Sequence, residues 1–258
     1  MPRTKPIQAV VTTLDIIEHM AETHAPIGVS ELALAIGMPK PRIYRHLQTL
    51  VSRGFVTQQA AGDKYGLTLR LHHIGRAIAE QSEFQVEARN VMPALRERVG
   101  QSVAIGQIEN GGVRVVDILP HRSAVEISSR PGTLLDFHST AQGKVALAFG
   151  PPALWQRLRR APLRKSTDAT ITDLERLKIE IERVRKRGWA VAPGEILSGI
   201  NALAAPIFDS GGALAGTISI LGSVQHLAPR PAPGLIAAVQ EAAADFSRRL
   251  GYREAAAS

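Results

Sequence analysis

Ser30-Glu31-Leu32-Ala33-Leu34-Ala35-Ile36-Gly37-Met38-Pro39-Lys40-Pro41-Arg42-Ile43-Tyr44-Arg45-His46-Leu47-Gln48-Thr49-Leu50 is the stretch that decides the fold of the first part of this chain. Ser30 suits an N-cap, Glu31 the first turn behind it, and Gly37 the left-handed position that ends a helix after Ile36. Pro39 and Pro41 bracket the next helix start, where a missing N–H costs little. The spacing predicts that helix over about Lys40–Ser52, with Ile43, Leu47, Leu50 and Val51 on one side. Lys40, Arg42, Tyr44, Arg45 and Gln48 fall elsewhere on it. Two helices joined by a short Gly-containing turn form a helix-turn-helix.

The flanks fit that unit. Upstream, Val10, Val11, Leu14, Ile17 and Met20 recur in steps of three and four, predicting a helix from Ile7 to about His24. Ala25-Pro26-Ile27-Gly28 then breaks it. Downstream, Gly54 stops the third helix, and Phe55-Val56-Thr57 and Lys64-Tyr65-Gly66-Leu67 predict a hairpin around residues 60–63. Helix, helix, turn, helix, hairpin is a winged helix-turn-helix. A helix of this kind enters the DNA major groove while the preceding one braces it. Lys40, Arg42, Tyr44, Arg45 and Gln48 are therefore candidate DNA contacts, with Lys64, Thr57 and Gln58 in the wing as weaker ones. Arginine can take guanine bidentately, whereas Lys and Tyr more often hold phosphates. A solvated polar face is the bland alternative, and the surrounding elements argue against it.

From Leu69 to about Gln81, Leu71, Ile74, Ala77 and Ile78 predict a connecting helix, and Val86–Val99 a second one after Ser82-Glu83-Phe84. The pattern then changes to alternation. Val103–Ile108 and Val113–Leu119 flank Glu109-Asn110-Gly111-Gly112, a hairpin signal. Further strands are predicted at Ala124–Ser128, Trp189–Ala192, Ala202–Phe208 and Ala213–Leu221. Helices are predicted at Ala141–Phe149, Pro152–Arg159, Thr172–Arg187 and Gly234–Leu250, with Ala228–Pro233 a loop and Glu254–Ser258 a frayed tail. The fold class is α+β with a mostly antiparallel sheet. The domains are expected at 1–68, 69–84 (the linker helix) and 85–258.

Composition narrows the function classes. The 258 residues contain no cysteine, which excludes disulfides and thiolate metal sites and suits a reducing cytosol. No stretch is long and apolar enough for a secretory signal or a membrane span, so no membrane partner is expected. Net charge is +8, which attracts polyanions. Residues 1–75 carry eight Lys/Arg against five Asp/Glu, so the excess is spread out and does not locate a site. The run Arg157, Arg159, Arg160, Arg164, Lys165 reads as a solvated face before a second polyanion contact. Scattered histidines, and no serine-hydrolase elbow, zinc-protease motif or dinucleotide loop, argue against an enzyme, a metal or a cofactor. His138-Ser139-Thr140-Ala141-Gln142-Gly143-Lys144 lacks the glycine and hydroxyl spacing of a phosphate loop and reads as a helix N-terminus with free N–H groups.

Four spaced motifs resemble the IclR family of bacterial transcription regulators over about residues 7–250. They are Met38–Leu50 with Arg53-Gly54-Phe55-Val56, Leu69–Ala77, Phe137–Ala148, and Gly199-Ile200-Asn201-Ala202-Leu203-Ala204-Ala205-Pro206-Ile207-Phe208-Asp209. The resemblance implies a GAF-like C-terminal effector domain, a homodimer or homotetramer, palindromic operators, and a carboxylate effector held near the backbone of Ala141 and Gln142. Family members that bind small polar acids carry an acidic residue, a cysteine and two serines where this chain has Ala192, Ala202, Ser219 and Leu221. Three polar groups have become apolar, so the expected effector is a more apolar acid, aromatic or longer-chained. Asn201, Glu195 and Trp189 are further candidates for the pocket border, each also readable as turn, solvated charge or core. The implied function is a ligand-controlled transcription regulator, repressor or activator. The rival readings are a DNA-binding protein whose second domain only oligomerises, and an enzyme with an accessory DNA domain.

Overall fold

The computed structural model describes residues 6–23, 25–59, 63–81, 83–121, 130–160 and 162–253, without the side chains of 76–81. The chain divides into two compact units, Met1–Gln81 and Ser82–Ser258.

The first unit contains α1 (Gln8–Thr23), β1 (Ile27–Gly28), α2 (Val29–Ile36), α3 (Lys40–Ser52), β2 (Val56–Gln58), β3 (Lys64–Leu67) and α4 (Leu69–Gln81). Ile16, Leu32, Ile43 and Leu47 are fully buried in its core. Ile43 and Leu47 are the stripe positions read for α3, but in α1 the buried face is Thr12, Ile16 and Met20, while Val10 and Leu14 of the expected stripe are exposed. Gly37 ends α2 at φ 70°, a left-handed turn that turns the chain into α3 and that glycine adopts without strain. Two local readings are corrected. The cap of α2 is Gly28, not Ser30, because Ile27–Gly28 is held as a strand and the Gly28 N–H donates to the Glu31 carboxylate at 3.1 Å. That strand, read from the sequence as a break, pairs antiparallel with β3, so the wing is a three-stranded sheet in the order β1-β3-β2. The β2 strand also sits one residue later than the alternation suggested.

The second unit contains α5 (Glu83–Val99), β4 (Ser102–Ile108), β5 (Val113–Leu119), β6 (Leu134–Leu135), α6 (Ala141–Phe149), α7 (Ala153–Leu158), α8 (Leu174–Arg187), β7 (Ala190–Val191), β8 (Ile200–Phe208), β9 (Leu214–Ser223) and α9 (Pro233–Arg249). Its six strands form an antiparallel sheet in the order β6-β5-β4-β9-β8-β7. Helix α5 begins three residues earlier than predicted because Phe84, taken for linker, is buried against Phe246 of α9 at 4.9 Å between ring centroids. The β6 strand was not foreseen, and Pro233 opens α9 rather than closing the loop before it. The predicted strand at 124–128 and the tail at 254–258 lie outside the described residues.

Alternation along the strands separates two cores. Val103, Ile105, Leu203, Ile207, Ile218 and Ile220 face α5 and α9. The opposite face, toward α6 and α8, is built from small residues: Ala104, Gly106, Ala202, Ala204 and Ser219. Large side chains close one face of the sheet. Small ones leave room on the other.

Candidate DNA-reading helix and ligand cavity

Helix α3 buries Ile43, Leu47 and Leu50 and exposes Lys40, Arg42, Tyr44, Arg45 and Gln48. Arg42, Tyr44, Arg45 and Gln48 line an open groove against Ala9, Val10 and Thr13 of α1, whereas Lys40 stands at the helix start and Lys64, Thr57 and Gln58 lie exposed in the wing. The first turn of α3 holds no acid. Lys40 and Arg42 thus sit at the positive end of the helix dipole, an unfavourable place for a cation unless an anion joins it. The field is felt nearby. His46 bonds Thr13 through Nδ1 at 2.8 Å, and burial, then the charges of Arg42 and Arg45, hold its imidazole below the usual range. Gln48 has a second neighbour, lying beside the buried Tyr65 phenol.

In the second unit, Thr140 caps α6, its hydroxyl accepting from the Gly143 N–H at 3.0 Å. Gly143 packs directly on the chain at Asp136–Phe137, where a Cβ would stand 2.3 Å from the Asp136 carbonyl oxygen. This approach seats the N-terminus of α6 over the small-residue face of the sheet. A cavity of about 140 Å³ remains there. All seven residues singled out for the effector line it: Ala141 and Gln142 from α6, Ala192 after β7, Asn201 and Ala202 from β8, Ser219 and Leu221 from β9. The sequence reading missed Ser139, Ile196 and Leu197, which line it too. The Phe137–Ala148 motif contained Ser139, but burial of its hydroxyl carries no local signal.

The polar atoms of the wall are largely engaged. Gln142 Nε2 donates to the Ser219 hydroxyl at 2.9 Å and the Ala104 carbonyl at 3.3 Å. Asn201 Nδ2 donates to the carbonyls of Leu227 and Ala228, and its Oδ1 accepts from the Ala202 N–H, so its amide fixes backbone. Glu195 is not a solvated loop charge. It is buried and ion-paired with Lys144 of α6, whose ammonium also donates to the Val191 carbonyl at 3.1 Å. Burial pushes the Glu195 carboxyl up, and the Lys144 charge opposes that shift. Thr167 and Thr170 hydroxyls donate to the Gly194 and Glu195 carbonyls at 2.7 and 2.6 Å, tying down the loop that carries Ile196 and Leu197. Trp189 lies away from the cavity, on the α5–α9 side of the sheet with the Arg187 guanidinium 4.1 Å over its ring.

Residues 9–60 match the IclR helix-turn-helix domain and residues 77–248 the C-terminal domain of bacterial IclR transcriptional regulators. The chain belongs to the IclR family. Among its IclR relatives, the glycerol operon regulatory protein of Streptomyces griseus is 30% identical over 253 residues, covering 95% of this chain and 97% of that one. The crystal structure of the Thermotoga maritima IclR protein superposes with a TM-score of 0.76 at 27% identity, covering 96% of this chain and all of the other. An IclR homologue from Microbacterium hydrocarbonoxydans, solved with 4-hydroxybenzoate, gives a TM-score of 0.81 at 21% identity, covering 92% and 98% of the two chains. This IclR chain is thus a DNA-binding transcription regulator with an N-terminal helix-turn-helix and a C-terminal α+β domain. The relatives are regulators rather than enzymes. Among the described residues no helix is long and apolar enough to cross a membrane.

Proposed function

We propose that this cytoplasmic regulator binds a palindromic operator as a homodimer or homotetramer and that a small organic acid with a largely apolar body controls the binding. The single observation that carries the ligand reading is the cavity at the start of α6, where the residues read from the sequence converge. Helix N-termini offer unpaired N–H groups to a carboxylate. The wall otherwise is mostly Ala, Leu, Ile and Val, which a hydroxyl-rich ligand would enter at a loss of hydrogen bonds. Its volume, about 140 Å³, is close to an apolar cavity of roughly 150 Å³ known to hold benzene. Aromatic acids of one ring therefore fit the class, and the 4-hydroxybenzoate in the Microbacterium homologue supports it.

In this reading Lys40, Arg42, Tyr44, Arg45 and Gln48 contact operator DNA from α3, and Lys64 contacts it from the wing. The proposed division is 1–68 for DNA binding, α4 as linker, and the second unit, which begins at Ser82, for ligand and assembly. Coupling is linkage: the acid favours one spacing of two recognition helices, and half-sites about 34–36 Å apart accept only some spacings. A coupling free energy of about 1–3 kcal/mol changes occupancy roughly 5- to 150-fold.

The test is a mobility-shift assay on the protein's own upstream region, with and without benzoate, phenylacetate and branched short-chain acids. The reading expects a shifted complex that at least one acid weakens or strengthens. Operator binding unmoved by every acid, with a melting temperature unmoved as well, would leave the second domain an oligomerisation module.

A further inference from the structure

Two polar groups in the cavity wall have no partner. Ser139 is 0% exposed and Gln142 is 3% exposed, yet Ser139 Oγ and Gln142 Oε1 accept and donate nothing. Among the described residues only one other buried side-chain atom is in this position, Glu195 Oε2. It belongs to the buried ion pair with Lys144, which ties α6 to the loop over the same cavity. Folded proteins pair almost all their buried polar atoms, so a cluster of exceptions marks a place where another molecule completes the set.

The two groups ask for different things. The Gln142 amide is oriented by the Ala104 carbonyl, which can only accept, so its NH2 faces Ala104 and Ser219 and its oxygen is the end left over. That oxygen passes Gly106, where a Cβ would crowd it at 2.9 Å. Gly106 is paired with Val115, which lines the cavity, as does Gln142 itself. A carbonyl oxygen accepts only, and its missing partner is a donor. The Ser139 hydroxyl can donate, and it stands two residues before Ala141, beside the free N–H groups of α6. Ser139 and Gln142 are three residues apart at one end of one helix, so both demands fall on the same pole of the ligand.

We propose that the effector is a small 2-hydroxy acid with an apolar body. Its carboxylate takes the Ser139 hydroxyl together with the N-terminus of α6, and its hydroxyl donates to Gln142 Oε1. This rests on the cavity being the effector site and adds the side chains that select within the acid class. A site built to bond a hydroxyl discriminates against the analogue that lacks it, because its own polar group is then left unpaired.

The experiment is titration calorimetry on the full chain with two matched pairs, isovalerate against 2-hydroxyisovalerate and phenylacetate against mandelate. In the wild type each hydroxy acid is expected to bind about tenfold tighter than its partner or better. Q142M should level the two members of a pair while holding the plain acid within about threefold. S139A should weaken all four by about tenfold. Plain acids that bind as tightly as hydroxy acids, or a preference that survives both Q142M and S139A, overturn this inference and leave the cavity reading intact. No binding by any of the four overturns both. The wild-type comparison needs no variant, so a misfolded mutant cannot mask the outcome.

Discussion

Lys144 and Glu195 form an ion pair from which water is excluded, their side chains 2% and 5% exposed, and it ties α6 to the loop that carries Ile196 and Leu197 over the cavity. Burying two charges is expensive, and a buried pair tolerates the loss of both charges better than the loss of one. K144M should therefore cost about 3–5 kcal/mol in denaturant unfolding, while K144M/E195L should recover most of it. The carboxyl left in K144M can take up a proton, so its penalty should grow as pH rises. A double variant no more stable than K144M would refute this account of the pair.

Arg42 and Arg45 face the same groove and no acid shares the first turn of α3. R42A and R45A should each weaken operator binding by about 5- to 150-fold if the side chain reads a base. A phosphate contact instead weakens all sequences alike and lowers the salt dependence. Anisotropy titrations on operator and scrambled DNA at two salt concentrations separate these outcomes. Unchanged affinity in both folded variants would remove α3 as the recognition helix.

His46 provides a pH signature. Its folded pKa lies below the ordinary 6.5, with burial the larger cause and Arg42 and Arg45 next. Below pH 6.5 the unfolded chain therefore binds more protons than the folded one. The stabilising contribution is fully present above that value and is lost as pH falls toward the lowered pKa. Melting curves from pH 7.5 to 5.5 should show the wild type losing more stability than H46Q. Parallel pH dependences would contradict the assignment.

Gly143 is required by contact. A methyl group there would meet Asp136 O at 2.3 Å and Phe137 Cα and O at 2.6 Å, all backbone atoms that cannot step aside cheaply. G143A should cost about 1–3 kcal/mol or more and weaken acid binding by lifting the start of α6. G234A, at a position with nothing within 4 Å, is the matched control and should fall within about 0.5 kcal/mol of wild type. Equal stabilities of the two variants would show that the close approach has no cost.

What the chain wrote locally, it wrote legibly. The bounds of α3 and α6 follow from prolines, caps and apolar spacing, because a helix is closed by bonds four residues apart and signals its ends within one turn. The four motifs carried the family in the same way. Partnerships between distant segments left no such trace. The β1 strand exists because β3 lies beside it, and Phe84 is core because α9 arrives from far along the chain. Gln142 meets Ser219 across 77 positions and Lys144 meets Glu195 across 51. Only folding brings those atoms within bonding distance, and only folding left Ser139 buried without a partner. The sequence by itself determined where most helices lie and the family; the tertiary structure decided which polar atoms are engaged and which remain for a ligand, because burial and pairing depend on neighbours that chain order does not reveal.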